Sequence, residues 1–376
     1  MKISKYRICN RCVMDTSDYL IEFDELGNCN HCNEFFTSKA SSTYQGKESD
    51  QQLEALVDNI KASGKGKEYD CLIGMSGGVD SSYVAYKAVE LGLRPLAMHL
   101  DNGWNSDDAV NNIKYVCNKL DIDYQSYVLN WEEFKDIQLS VLKSSIVEVE
   151  IPTDIAISSS LFKVASENSI KYIIGGGNYA TEGILPESWF YNPKDVKLLK
   201  SIHKEFGTTK FGSFPTLDYK KEMYYKFFRG IKIAYILNYV PFTKDMAVKT
   251  LEKELGWTNY GAKHHESVYT RFAQSYIQPV KFNLDYRRAT YSSLICNNDM
   301  TREQALEDLK NKSYNELTLD ADKEYVSKKF GIEVEELERI MSLPPKSYKD
   351  YPNDEKKLNF IYKIYRDYFS KFMKVS

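Results

Sequence analysis

From residue 53 onward the chain alternates two hydrophobic patterns. "LEALVDNIKAS" places apolar residues at helical spacing, and "YDCLIGM" behind it is a continuous apolar run that predicts a buried strand. Helix and strand then take turns: a helix over about 80–91, the strand "RPLAMHLD", a helix over about 107–120, the strand "YQSYVL", a helix over about 131–147, a helix started by "PTD" near 154, and the strand "KYIIGG" ending in a Gly-rich turn. This order predicts an α/β fold, a doubly wound parallel sheet covered on both faces. Ligands of such sheets bind beyond the carboxyl ends of the strands, which brings residues 76–82, 101–105 and 175–182 into one region.

After about residue 195 the alternation stops. "KEMYYKFFRGIKIAYILNYV" and "TREQALEDLKN" read as helices, the second opened by Thr301 as a cap, so 196–376 is expected to be a mostly helical domain for substrate or partner. The final pattern, "NFIYKIYRDYFSKFMK", puts Phe360, Ile361, Ile364, Tyr365, Tyr368, Phe369, Phe372 and Met373 on one stripe with basic residues opposite. Packing on its own domain or in a homodimer is preferred there over an anionic membrane surface. At the other end, the Ser-, Lys- and Gln-rich stretch near 37–52 lacks an apolar period and predicts a linker between a unit at 1–45 and the sheet domain at 53–195.

Composition narrows the classes. With 43% apolar and 27% charged residues in 376, the chain supports a sizeable core and excludes global disorder. A net charge of -3 argues against a surface built to hold a polyanion, so no nucleic acid partner is expected. No apolar signal core opens the sequence and no window reaches the roughly 18 uninterrupted apolar residues of a membrane span. The expected location is the cytoplasm, where the seven cysteines serve as metal ligands or buried thiols and not as disulfides.

Four of those cysteines come in pairs, Cys9 and Cys12 in "CNRC" and Cys29 and Cys32 in "CNHC", with 16 residues between. Each two-residue spacer lets both sulfurs reach one tetrahedral ion, so a structural zinc ribbon is expected ahead of an iron–sulfur cluster. Four thiolates leave no open coordination position, which assigns the metal to folding and not to catalysis. His31, inside the second pair, reads as a solvated loop residue.

"SGGVDSS" stands where a strand turns into a helix, so its amides face outward at the positive end of the helix dipole. Gly77 and Gly78 allow close approach of oxygen atoms, and Ser76, Ser81 and Ser82 add hydroxyl donors. The turn suits phosphate, yet it has neither the lysine of a Walker loop nor GxGxxG spacing. Ser76, Gly77, Gly78, Asp80 and Ser81 match in order the SGGxDS signature of the PP-loop ATP pyrophosphatases, which the sequence resembles. The resemblance implies ATP cleavage between the alpha and beta phosphates, with Asp80 helping to hold Mg2+. Asp101, ending "HLD", resembles the family's nucleotide-contacting position after the second strand. Gly177, Asn178 and Glu182 in "IIGGGNYATEG" take the place of a Gly-His or Gly-Asn turn followed by an acidic residue, to serve magnesium or the adenylate.

Together with the double CxxC, "LGWTNYGAKHHESVYTRFAQSYIQP" and "FNLDYRRATYSSLI" look like the N-acetyl sugar amidotransferases of bacterial surface polysaccharide, lipopolysaccharide O-antigen and pseudaminic acid pathways. That resemblance spans nearly the whole chain and implies conversion of an acetamido group to an acetamidine through an O-adenylated imidate that ammonia displaces. Positive charge near the loop would stabilise the developing pyrophosphate, and Lys263, Arg271, Arg287 and Arg288 are the candidates. His264 and His265 could move protons from ammonia. Residue 2 is lysine and no G-x-C-x-G elbow occurs, so the ammonia is expected from a separate glutaminase and synthase pair. Cys71, Cys117 and Cys296 read as inert buried thiols. The rival readings are a PP-loop transfer RNA thiolase and a nucleotide-binding regulatory module.

Overall fold

The computed structural model of the protein describes residues 6–258 and 266–369. Five strands, β1 (Cys71–Gly74), β2 (Pro95–Asp101), β3 (Asp123–Val128), β4 (Tyr172–Ile174) and β5 (Lys232–Ala234), form one sheet in the order β3-β2-β1-β4-β5. All four pairings are parallel, and Leu72 of the central strand faces Leu96 on one side and Ile173 on the other. Successive β1 side chains enter opposite cores. Leu72 packs with Met98, Phe162 and Ile173, whereas Ile73 packs with Val84, Ile113 and Leu251. A doubly wound sheet follows, because both faces of β1 have to be covered.

The covering helices match the periodicity. They are α1 (Lys47–Ser63), α2 (Val79–Glu90), α3 (Asp107–Leu120), α4 (Trp131–Ser144) and α5 (Ile151–Glu167). Ser106 and Asn130 cap α3 and α4 by accepting from the Ala109 and Glu133 amides, and Pro152 lies in the first turn of α5, where no amide donor is needed. α1 begins inside the expected linker at 37–52, because Leu53, Leu56, Val57 and Ile60 form a buried stripe that the polar residues 47–52 lead into.

The mostly helical stretch after 195 also contributes one strand to the sheet, β5. Gly230, at φ +65°, turns the chain so that Lys232, Ile233 and Ala234 pair with Tyr172, Ile173 and Ile174. α6 (Lys244–Leu255) then packs on α2, and the Trp257 indole donates to the Gly77 carbonyl at 3.0 Å. Sheet-bearing structure therefore runs well past 195. Beyond it the chain is helical, and Thr301 forms a reciprocal capping box with Gln304 on α8 (Arg302–Asp308), which follows α7 (Arg287–Cys296). The helix Glu355–Ile364 docks through Leu358 and through Tyr362, whose hydroxyl donates to Glu222, while Phe360 and Ile364 of the expected stripe face solvent. Phe372 and Met373 lie outside the described residues. No helix among the described residues is long and apolar enough to cross a membrane.

Candidate active site

The turn from β1 to α2 is fixed by its own hydroxyls. The Ser76 and Ser81 oxygens lie 3.1 Å apart, Ser76 Oγ accepts from the Gly78 amide at 3.2 Å, and Ser81 Oγ accepts from the Ser76 amide. Gly77 sits at φ +83°, and a Cβ there would meet the Ala109 carbonyl oxygen at 2.3 Å, so only glycine fits. The buried Ser82 hydroxyl has no hydrogen-bond partner. Asp80 stands in the first turn of α2, and the β4 turn presses against it: a Cβ on Gly176 would lie 3.3 Å from Asp80 Cβ. Amides at the start of α2 and the helix dipole make this turn a ready anion site.

The neighbouring turns place the other expected residues unequally. Asn178 is buried and spends its carbonyl oxygen as a cap, accepting from the Thr181 amide at 2.9 Å and the Thr181 hydroxyl at 3.1 Å. Glu182 is exposed at the end of the short helix Tyr179–Glu182, beside Gly177. Asp101 holds the turn after β2 by accepting from the Gly103 amide at 3.0 Å, and its neighbours Asn102 and Asn105 line the adjoining cavity in its place.

That cavity, about 510 Å³, opens at the carboxyl ends of β1 and β4, where the strand order reverses. Gly74, Met75 and Ser76 form one wall with Gly175 and Gly176. One face of α5 forms another, with Asp154, Ile157, Ser158, Leu161 and Phe162 at helical spacing. A third wall comes from Glu266, Ser267, Thr270, Gln274 and Gln278, on a helical run that widens into a π turn over Ala273–Ile277. His99 also lines the cavity. It lies 2.9 Å from the Met75 carbonyl, and burial pushes its pKa below the usual imidazole value.

Sequence reasoning missed the two carboxylates at the floor. Burial, reinforced by Asp154 and Glu150, raises Glu148 well above the usual carboxylate range. Burial likewise lifts Glu150 to about 8, against hydrogen bonds from Thr270 Oγ1 at 2.5 Å and Gln138 Nε2 at 3.3 Å. The folded pKa of Glu150 lies above the unfolded value of 4.5, so the folded protein binds the extra proton between those limits. Its contribution to stability is present below that window and is lost as pH rises through about 8. Glu150→Gln, with no charge to desolvate, should flatten the slope and raise stability above pH 8 by about 1–3 kcal/mol. Urea midpoints measured across pH check this.

The expected basic cluster is not at the cavity. Arg271 forms a two-pronged pair with Asp322 at 2.6 and 2.9 Å. Arg287 is held by Asp285 at 2.7 Å and Asp308 at 3.4 Å. Arg288 reaches Asp15 at 3.0 Å and the Val13 carbonyl at 2.8 Å. Each of the three guanidiniums pairs with a carboxylate, and none of them lines the cavity. Lys263, His264 and His265 lie outside the described residues.

The four paired cysteines do converge. Their sulfurs lie within 4.8 Å of one another, all fully buried, with 3.9 Å between Cys9 and Cys32 and 3.7 Å between Cys12 and Cys29. Amides of Arg11, Cys12 and Cys29 point at Cys9 Sγ, and hydrogen bonds from the other thiols, Cys12 first, hold Cys9 below the usual thiol range. Contrary to expectation, His31 is not solvated: its Nε2 lies 2.7 Å from Asp18 and its side chain is 10% exposed. α7 and α8 clasp the unit, with Arg302 donating to the Cys9 and Cys12 carbonyls and Ser292 accepting from the Val13 amide. Arg288→Ala leaves buried Asp15 without its cation and should cost about 2–4 kcal/mol in a urea melt. Cys71 and Cys117 are buried, and burial raises Cys117 to about 11. All seven cysteines are free thiols.

Two family models match the chain. Residues 51–148 match NAD synthase, and residues 266–366 match the C-terminal domain described as LPS biosynthesis protein WbpG-like. No curated protein matches at a significant level. Among solved structures, the NMN synthetase from Francisella tularensis is 15% identical over 57% of this chain and 98% of its own, at a TM-score of 0.30. The NH3-dependent NAD synthetase from Campylobacter jejuni is 18% identical over 55% and 84%, at 0.28. The U34-tRNA thiolase NcsA from Methanococcus maripaludis, solved with a 4Fe-4S cluster, is 15% identical over 80% and 88%, at 0.36. The chain thus joins a PP-loop domain matched by the NAD synthase model to a C-terminal domain like that of WbpG-like lipopolysaccharide biosynthesis proteins.

Proposed function

We propose that the protein is an ATP-dependent amidotransferase that converts an acetamido group of a bacterial surface sugar into an acetamidine, releasing AMP and pyrophosphate. One observation carries this reading: a single cavity takes one wall from each matched domain. Ser76 and Met98 come from the NAD synthase-like part, and Thr270, Gln278 and Tyr286 from the WbpG-like part. ATP chemistry and sugar recognition would then share one enclosure.

An amide oxygen is a poor nucleophile and a worse leaving group. Attack on the alpha phosphorus converts it to a phosphate ester, after which nitrogen forms a bond to the same carbon and AMP departs with the oxygen. Ser76, Gly77, Gly78, Ser81 and Ser82 would hold the phosphates at the start of α2. Mg2+, a hard cation preferring carboxylate and phosphate oxygens, would take Asp80, with Glu182 near enough to the β4 turn to join it. Asp101 and Asn178 would act by shaping the turns that line the nucleotide.

The cysteine centre fits Zn2+. A tetrahedral ion with Zn–S bonds of about 2.3 Å separates its thiolates by about 3.8 Å, close to the 3.7 and 3.9 Å here. Thiolates bound to separate irons of a cluster would stand farther apart. Buried free thiols fit a reducing cytoplasm, and a separate glutaminase would supply the ammonia. A thiolase reading finds less support, because no cysteine among the described residues lines the cavity.

Mass spectrometry of acetamido sugars incubated with the protein, Mg-ATP and ammonium tests the reading. A product lighter by about one mass unit, formed in step with AMP, is expected. AMP release that requires transfer RNA and ignores every sugar would overturn it in favour of the thiolase.

A further inference from the structure

The cavity floor gathers acidic side chains around one unsatisfied acceptor. Glu148 is buried and Glu150 half-buried, and Asp154 stands next to both on α5. Gln278 is 2% exposed, and its Nε2 donates to the Val147 carbonyl at 3.4 Å. Its Oε1, in the same cavity wall, has no hydrogen-bond partner. No lysine or arginine among the described residues lines the cavity. The charged and titratable groups around the floor are Glu148, Glu150, Asp154, Glu266, Tyr235, Tyr286 and His99. A buried acceptor without a donor is costly, so Gln278 Oε1 beside this acidic group calls for a small cationic ligand that brings N–H donors.

We propose that Glu148, Glu150 and Gln278 form a subsite for ammonium, and that Glu150 takes up the first proton the nitrogen sheds. This rests on the amidotransferase reading and names how that site handles its nucleophile. Proton bookkeeping supports it. Ammonium gives one proton to Glu150 and becomes ammonia, whose lone pair forms the C–N bond to the adenylated carbon. The C–O bond then breaks, AMP leaves with the electron pair, and the nitrogen sheds a second proton, to the departing AMP phosphate, leaving a protonated acetamidine. Two protons are released, one to Glu150 and one to the leaving AMP. A carboxyl whose pKa burial has lifted to about 8 is a better match for an ammonium donor than a solvated one. Bound cation also lowers that pKa, so the ligand itself generates the carboxylate that holds it.

The test uses full-length protein, ammonium chloride as nitrogen source and the acetamido sugar that turns over. Sugar-dependent exchange of labelled pyrophosphate into ATP is measured first on the wild type, without ammonium. Its absence across the sugar panel overturns the amidotransferase reading and the subsite with it. With exchange present, Glu150→Gln and Gln278→Met are compared by their KM values. The expected result is a rise in KM for ammonium of about tenfold or more for Glu150→Gln and about threefold for Gln278→Met. KM for the sugar and for Mg-ATP should move less than about twofold, and the acid limb of kcat/KM for ammonium should shift in Glu150→Gln. An unchanged ammonium KM in both variants, or an equal rise in all three KM values, overturns the subsite and leaves the amidotransferase reading in place. Gln278→Met keeps the charges intact, so a folding defect in the glutamate variant does not decide the outcome.

Discussion

Asp80→Ala should lower AMP and pyrophosphate release by about a thousandfold or more. The carboxylate lies in the first turn of α2, at the only strand-to-helix turn in the sequence with the SGGxDS pattern. It would hold a divalent cation against the phosphates, and alanine supplies no oxygen to replace it. Asp80→Asn keeps the shape and loses the charge, so it separates cation binding from packing and should be nearly as inactive. Stability should change little. A carboxylate at a helix N-terminus contributes about 0.3–1 kcal/mol, which a small drop in thermal midpoint would report. Turnover that survives both changes would reduce the turn to a helix cap, and the proposed role of the cavity would fall with it.

Cys12→Ser should release the bound metal and destabilise the whole N-terminal unit. The four cysteines share a buried cluster with Met14, Phe35, Ile184, Trp189 and Leu284, so a metal held by them would stand where a hydrophobic core would otherwise be needed. Structural zinc contributes on the order of 10 kcal/mol in isolated zinc-binding peptides, and a three-thiolate remnant keeps only part of it. Elemental analysis should find one zinc per wild-type chain and little in the variant, with a fall of many degrees in thermal midpoint. Iron in place of zinc would overturn the zinc assignment. The damage should also reach the cavity indirectly. Ser293, on α7 beneath the cysteine unit, accepts from the Ile184 amide at 2.9 Å, immediately after the turn that carries Asn178 and Glu182.

Expectation and structure part company where a residue's partner is distant in sequence. β1, β2 and β4 are legible because each is an apolar run beside helices of regular period, and β3, polar and exposed, is legible from its place between two such helices. β5 is not, because three residues, Lys232–Ala234, sit on the sheet edge in a stretch crowded with tyrosine and phenylalanine. Its edge place removes the need for an uninterrupted apolar run. Arg287 looked like a phosphate ligand from its neighbours in the chain. Asp308, twenty-one residues on, joins Asp285 in neutralising it. Glu148 and Glu150 drew no notice because "VEVEIPTD" reads as the polar lead-in to a helix. Nothing in that stretch announces that Tyr286 and Thr270 will cover it, and only burial lifts two ordinary glutamates above the usual carboxylate range.

By itself the sequence determined the features that a few consecutive residues can encode. The SGG turn requires glycine at φ +83° and hydroxyls five residues apart across the turn, which "SGGVDS" supplies without help. Two CxxC knuckles fix pairs of sulfurs by local geometry, and the alternation of period imposes a parallel sheet. Tertiary structure decided what those features face. The cavity is assembled from segments near 74–105, 148–176 and 266–286, whose meeting depends on long-range packing. Each polar side chain there could be satisfied by solvent, by an ion pair or by a ligand, and periodicity does not distinguish these. Only the packed chain settles which carboxylates lose their water and which arginines are already taken.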